Sequence, residues 1–268
     1  MSYRMLVLDI DGTLTNSEKI ITEKTRAALI RAQKAGLKVV LASGRPTYGV
    51  KDLAKQLEMD RYGGFILSYN GGKIVDCRSG EVIFRKVIPQ SRIKDVCRLA
   101  KEHQVALVTY EADQVIATDA EDQYVRLEAW NNKMEPILIP DMEAYIRFPV
   151  VKFMMVAEGD YLADVEIKVK EALGAGFSVY RSEPYFLEIM AENIDKAQSL
   201  ATLLAHLGLT KEEMICCGDG LNDLTMIRFA GLGVAMENAA DCVREAADFI
   251  TRSNDEDGIA YVVERFIQ

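Results

Sequence analysis

Met5-Leu6-Val7-Leu8 is a short, unbroken apolar run, the pattern of a strand covered on both faces. The next stretch changes period. Across 22–35 the apolar residues Ala27, Ala28, Ile30 and Ala35 form a helical stripe, with Thr22 placed as its N-cap. Gly36 is placed to end that helix in the left-handed region. Residues 37–42 then read as a second strand, Pro46 as the first residue of a helix, and Phe65-Ile66-Leu67 as a third strand. Asn70-Gly71-Gly72 and Arg78-Ser79-Gly80 punctuate a hairpin after it. The alternation returns near the C-terminus, with strands at 214–217, 233–235 and 249–250 and helices at 196–207, 224–229 and from Ile259 onward. Repeated strand–helix units predict an α/β core, a doubly wound parallel sheet of Rossmann-like form.

The middle of the chain differs. Helices are predicted at 91–101, 121–131 and 161–173, and strands at 105–109, 114–118, 151–156 and 177–180. Segments with suggestive chemistry lie toward both ends and none lies between them. Residues 82–188 therefore read as an α+β domain inserted into a discontinuous core of 1–81 and 189–268.

Composition narrows the field. Of 268 residues 49% are hydrophobic and 27% charged, which excludes disorder and fibrous repeats. Acids outnumber bases by 41 to 32, a net charge of −9 that argues against nucleic acid or an anionic membrane as partner. The five cysteines, Cys216 and Cys217 adjacent among them, make no CxxC pattern and fit reduced thiols. No basic leader precedes the first apolar run, and charges interrupt every later one, so a cytoplasmic protein is expected. His103 and His206 are the only histidines and are expected at helix ends. Oligomeric state is left open.

Four segments carry candidate chemistry. Asp9 and Asp11 stand two apart where the first strand ends, and residues two apart on a strand share a face. Both carboxylates are expected at the sheet's C-terminal edge, where open α/β sheets bind ligands. Two anions that close repel, so one pKa should rise unless a cation lies between them. Ser43-Gly44-Arg45 offers a hydroxyl and backbone N–H groups ahead of a helix, an anion seat or an ordinary cap. Lys196 opens a helix, where the macrodipole disfavours a cation; it either faces that seat or is simply solvated. Gly218-Asp219-Gly220-Leu221-Asn222-Asp223 gathers oxygen donors on one strand-to-helix turn. Such a loop suits a hard cation such as Mg²⁺, or is a glycine-rich turn with an acidic cap.

Together the four segments resemble the motifs of the haloacid dehalogenase (HAD) superfamily, and specifically its Cof-type, class IIB capped phosphatases. Asp9-Ile10-Asp11-Gly12-Thr13-Leu14 matches the first motif and Gly218 to Asp223 the fourth, both intact; Ser43-Gly44-Arg45 resembles the second. Lys196 stands for the third, with Asn193 where the family usually has glycine and Ala197 after the lysine. Asparagine tolerates a left-handed backbone, so that turn can survive.

The resemblance implies a Mg²⁺-dependent phosphatase acting on a small phosphorylated metabolite such as a sugar phosphate. Asp9 would be the nucleophile that forms an aspartyl-phosphate, and Asp11 the general acid and base. Mg²⁺ would be held by the Asp9 carboxylate, the Asp11 carbonyl and Asp219, with Asp223 in support. Ser43, the Gly44 N–H, Asn222 and Lys196 would hold phosphoryl oxygens, and Arg45 and Asn70 would help select the substrate. The inserted domain would act as a cap that closes over the site and excludes water. The rivals are a phosphoryl transferase or mutase using the same intermediate, and a non-enzymatic sensor of a phosphometabolite.

Other patterns are weaker. Gly71-Gly72-Lys73-Ile74 lacks the upstream glycine and final hydroxyl of a P-loop, and Gly231-Leu232-Gly233 lacks the third glycine of a dinucleotide fingerprint. Ser253 to Gly258, with Glu264 at the twelfth position, has an EF-hand-like register but serine at the first ligand position. That acidic run reads instead as a cap for the C-terminal helix. Met154 and Met155 read as core fillers.

Overall fold

A computed structural model describes residues 3–267 of the chain. Two units emerge, one built from the chain up to Phe84 and again from Asp195, the other from Arg85–Ile194. The first half of the discontinuous unit contributes β1 (Met5–Leu8), α1 (Glu23–Lys34), β2 (Lys38–Ala42), α2 (Thr47–Gln56), α3 (Met59–Tyr62), β3 (Phe65–Ser68), β4 (Lys73–Asp76) and β5 (Val82–Arg85). The continuous unit follows with α4 (Ile93–Glu102), β6 (Ala106–Glu111), β7 (Gln114–Ala117), α5 (Gln123–Asn132), β8 (Glu135–Leu138), α6 (Met142–Tyr145), β9 (Lys152–Val156), α7 (Gly159–Leu173), β10 (Phe177–Glu183) and β11 (Phe186–Ala191). The chain then returns with α8 (Lys196–Leu207), β12 (Met214–Gly218), α9 (Leu224–Phe229), β13 (Leu232–Ala235), α10 (Asp241–Ala246), β14 (Phe249–Ile250) and α11 (Gly258–Phe266).

The discontinuous unit carries a sheet in the order β14-β13-β12-β1-β2-β3-β4-β5. Pairing is parallel from β14 to β3, and β4 turns back antiparallel on β3. β1 is buried on both faces, as its apolar run requires. Alternation along the strands sorts the core into two. Leu6, Leu8, Val39, Leu41 and Ile215 pack against Leu29 of α1, Val50 of α2, Val243 of α10 and Val262 of α11. Met5, Val7, Val40 and Cys216 face Leu200, Leu203 and Leu204 of α8 and Met226 of α9. Each fully buried aliphatic contributes about 1.5–3 kcal/mol. This double layer fixes β1 and β12 side by side, so the loops that leave their C-terminal ends must be neighbours.

Helix termini follow the sequence in part. Thr22 accepts the Thr25 N–H, and Gly36 has φ of +101° just beyond α1. Pro46 does not occupy the first helical position; with ψ of 155° it is an extended cap, and α2 starts at Thr47. The ring fixes φ but leaves ψ free, so proline can also stand one residue outside.

The continuous unit holds a second sheet in the order β10-β11-β9-β6-β7-β8. Leu107, Phe153, Met155, Leu187 and Ile189 cover one face with Val96 and Leu99 of α4 and Val165 and Val169 of α7. Met154 and Met155 are both buried, as core fillers should be. The expected junctions at 82 and 189 need correction. β5 joins the first sheet, so the first stretch of that unit runs to Phe84. Residue 189 lies inside β11, which pairs with both β9 and β10. Glu188 interrupts the apolar pattern there, and its buried carboxylate is matched by Lys152 at 2.8 Å.

Candidate active site

β1 ends at Leu8, but the ladder runs one residue further, with the Asp9 N–H bonded to the Cys217 carbonyl at 3.0 Å. That bond fixes Asp9 at the strand tip with its side chain buried. Lys196 reaches it from the first residue of α8, a helix whose N-cap Asp195 accepts the Gln198 N–H. The turn before it runs through Asn193 with φ of +54°, the left-handed conformation that asparagine was expected to tolerate there.

Lys196 is 1% exposed, so it is not a solvated helix-start lysine. Its ammonium donates to Asp9 Oδ1 and Asp223 Oδ1, each at 2.6 Å, and to the Ala42 carbonyl at 2.9 Å. Asp223 is fully buried, and its Oδ2 accepts the Asp219 and Gly220 N–H groups at 3.0 Å each. Asp219 Oδ1 accepts the Thr13 hydroxyl at 2.7 Å. Gly12, at φ of +83°, lies so close that a Cβ would collide with the Asp219 carboxylate. Only glycine meets both requirements.

One carboxylate oxygen from each of Asp9, Asp219 and Asp223 lies within 4.8 Å of the others. Three carboxylates thus face a single ammonium. Burial, reinforced by Asp223 and against the pull of Lys196, pushes the Asp9 carboxyl up to about 8. Burial also raises Asp219, with Asp223 adding repulsion and the Thr13 bond opposing it. The donor set is all hard oxygen with negative charge in excess, and among the described residues Oδ2 of Asp9 and of Asp219 accepts no hydrogen bond. These residues fit a small divalent cation such as Mg²⁺.

Asp11 departs from expectation. The strand has ended, so alternation no longer aims its side chain alongside Asp9. Its carboxylate instead takes a two-point contact from Arg45, Nε to Oδ2 at 2.9 Å and Nη2 to Oδ1 at 2.7 Å, with Lys19 Nζ at 3.0 Å. Burial works to raise the Asp11 carboxyl, but the bonds and charges of Arg45 and Lys19 outweigh it and hold the group below the usual range. The repulsion expected between Asp9 and Asp11 is therefore found between Asp9, Asp223 and Asp219. Arg45, expected among substrate selectors, is engaged with Asp11.

Ser43 is buried directly after β2, and its Oγ accepts the Arg45 N–H at 3.2 Å. Its carbonyl accepts the Asn70 N–H at 2.9 Å, and Asn222 Nδ2 donates to Asn70 Oδ1 at 3.1 Å. A Cβ on Gly44 would stand 3.2 Å from the Asn70 amide. Ser43, Gly44, Asn70 and Asn222 thus form one polar group. Sequence continuity joins it to the acidic one through Ala42 and Asp223. Tyr69 and Asn70 both have left-handed backbones, φ of +54° and +52°. Strain of about 1–3 kcal/mol per residue is typical there and concentrates at ligand-binding segments.

Local sequence pattern does not single out every residue at the site. Lys19 lies in a loop without periodicity, and Thr13 was visible only as part of its motif. The acidic run 253–258 does not cap its own helix through side chains. Asp255 accepts the Ser17 N–H and hydroxyl at 2.8 and 2.7 Å, and Asp257 accepts the hydroxyls of Thr22 and Thr25. No helix among the described residues is long and apolar enough to cross a membrane.

Comparison with known proteins gives a consistent result. The model of the haloacid dehalogenase-like hydrolases matches residues 6–263. A solved haloacid dehalogenase-like hydrolase from Bacteroides thetaiotaomicron is 46% identical with a TM-score of 0.95, covering 98% of this chain and 99% of that one. A solved HAD subclass IIB sugar phosphatase is 26% identical with a TM-score of 0.79, covering 98% of each chain. The Bacillus subtilis 5-amino-6-(5-phospho-D-ribitylamino)uracil phosphatase YcsE is 32% identical over 100% of this chain and 97% of its own length.

Proposed function

Because this chain belongs to the haloacid dehalogenase-like hydrolases, in their Cof-type, subclass IIB branch, we propose that it is a Mg²⁺-dependent phosphatase of a small phosphomonoester such as a sugar phosphate. The observation that carries this reading is the buried Lys196 ammonium between Asp9 and Asp223, with Asp219 beside them. A buried acidic cluster with one cation suits a site that receives a divalent metal and a phosphoryl group together.

An Asp9 carboxylate oxygen attacks phosphorus, the bond from phosphorus to the ester oxygen breaks, and that oxygen leaves as an alcohol with a proton from Asp11. Water then attacks the phosphorus of the aspartyl-phosphate, gives its proton to Asp11, and releases phosphate and the Asp9 carboxylate. Ionised Asp11, held by Arg45 and Lys19, suits the second proton transfer. The first requires Arg45 to release one oxygen so that a proton can reside there. Ser43, the Gly44 N–H and Asn222 hold phosphoryl oxygens, and Lys196 exchanges one present acceptor for another. Asp9, Asp219 and the Asp11 carbonyl would hold Mg²⁺. Asp223 has both oxygens engaged, and so it supports Lys196 and the 219–220 backbone. When bound, the metal offsets the charge of an anion approaching an anion.

The substrates named for relatives, a sugar phosphate and a ribitylaminouracil phosphate, favour a hydroxylated phosphomonoester. The test is hydrolysis of p-nitrophenyl phosphate and a phosphometabolite panel, scored by kcat/KM with Mg²⁺ and with chelator. Asp9→Asn should lose on the order of 10³-fold or more in turnover while keeping its fold, and chelation should silence the wild type. Undiminished activity in Asp9→Asn overturns the nucleophile, and activity without divalent metal overturns the Mg²⁺ role.

A further inference from the structure

β13 ends in a turn, 236–240, that touches both loops bearing the acidic cluster. The Met236 N–H donates to the Gly218 carbonyl at 3.1 Å and the Ala240 N–H to the Asp219 carbonyl at 3.2 Å. From the same turn Asn238 Nδ2 donates to the Gly12 carbonyl at 2.8 Å. Its Oδ1 accepts the Asn254 N–H at 3.0 Å, and Asn254 Nδ2 donates to the Thr15 carbonyl at 3.0 Å. The Gly12 carbonyl belongs to the peptide that carries the Thr13 N–H, and the Thr13 hydroxyl orients Asp219 Oδ1. Both ends of the Thr13–Asp219 bond are therefore braced from one turn.

We propose that Asn238, with Asn254 behind it, is a positioning residue that presets the Asp219 carboxylate for a divalent cation. The inference rests on the cation site of the preceding section. Mg²⁺ demands near-octahedral donors at short distance, so an error of a few tenths of an ångström in one ligand is felt as lost affinity. Asn238 is exposed and outside the sheet core, so truncating it opens no cavity. The loss is in aim: without the amide, the Gly12 peptide can rotate and Thr13 no longer returns to one place. Asp255 braces the same loop farther along, at Ser17, and has no such link to Asp219.

Calorimetric titration of Mg²⁺ into the full-length protein tests this, beside thermal melts in chelator. Asn238→Ala should raise the Mg²⁺ Kd about tenfold, the low end for residues that orient metal ligands. The Mg²⁺ concentration for half-maximal p-nitrophenyl phosphate hydrolysis should rise alongside, with kcat recovering at saturating Mg²⁺. Asp255→Ala should lower the melting temperature and leave the Mg²⁺ Kd unchanged. If Asn238→Ala is poorly folded, Asn238→Ser carries the same test, since its hydroxyl cannot span to Gly12. A wild-type Kd in a folded Asn238 variant overturns the proposal, whatever happens to its melting temperature. A wild type that binds no Mg²⁺ defeats the cation site itself, and the positioning role with it.

Discussion

Replacing Lys196 with methionine keeps most of the side-chain volume and removes the charge, which isolates what the ammonium does. In the native protein it satisfies Asp9, Asp223 and the Ala42 carbonyl from a fully buried position. Taking one partner from a buried ion pair costs about 3–5 kcal/mol, because the remaining charge is stranded. That is a large share of the roughly 5–15 kcal/mol that holds a domain together. The cost should depend on pH in a definite direction. Asp9 is already raised from 3.8 to about 8 with the lysine present, and its removal takes away an influence that lowers it. A carboxyl whose folded pKa exceeds its unfolded one gives stability that is present below the unfolded value and lost as pH rises. Lys196→Met should therefore fall furthest behind the wild type above pH 8, where Asp9 ionises in the native protein. Urea unfolding in chelator at pH 5 and pH 9 measures this. Mg²⁺ should then stabilise Lys196→Met over its own value in chelator, by about 2.7 kcal/mol at one hundred times its Kd. A deficit under about 1 kcal/mol at pH 9, below the range for stranded buried charges, or one equal at both pH values, would refute the reasoning.

Arg45 offers a second pH experiment. It contributes two bonds to Asp11 from a side chain 25% exposed, against one bond from Lys19 at 63%. Arg45→Met should thus raise the Asp11 pKa more than Lys19→Met, moving the acidic limb of the kcat/KM profile to higher pH. An unmoved limb removes Asp11 from proton transfer. At the tip of the β6–β7 hairpin, exposed Ala112 sits at φ of +52°. Ala112→Gly should stabilise the protein by about 1 kcal/mol, the cost of a Cβ in the left-handed region; an unchanged or lower urea midpoint contradicts that strain.

Elements with an uninterrupted period were legible in the sequence: 196–207 and 224–229 are the observed bounds of α8 and α9. β11 was missed because Glu188 breaks its apolar run, and only the fold supplies the Lys152 that makes this carboxylate tolerable. The residues that converge at the sheet edge, Asp9, Lys196, Asp219 and Asp223, could be picked out because each follows a strand or opens a helix. Their partners could not. Arg45 meets Asp11 across 34 positions and Asn238 meets Gly12 across 226, and no local pattern encodes such pairings. The acidic run 253–258 is visible as chemistry but points by sequence to its own helix, since its targets at Ser17 and Thr22 lie at the other end of the chain.

The interrupted path of the larger unit bears on how the protein is made. Asp9 and Lys196 are 187 positions apart, and the intervening 85–194 form a contiguous unit with its own core. A ribosome therefore delivers the inserted piece whole before β12, one of the two strands beside β1, has been translated. During synthesis, at about 5–20 residues per second, the N-terminal carboxylates wait in water for at least several seconds. A product truncated before β12 has no means of assembling the acidic pocket, so the nascent polypeptide stays chemically silent until β12 and the loop after it have emerged.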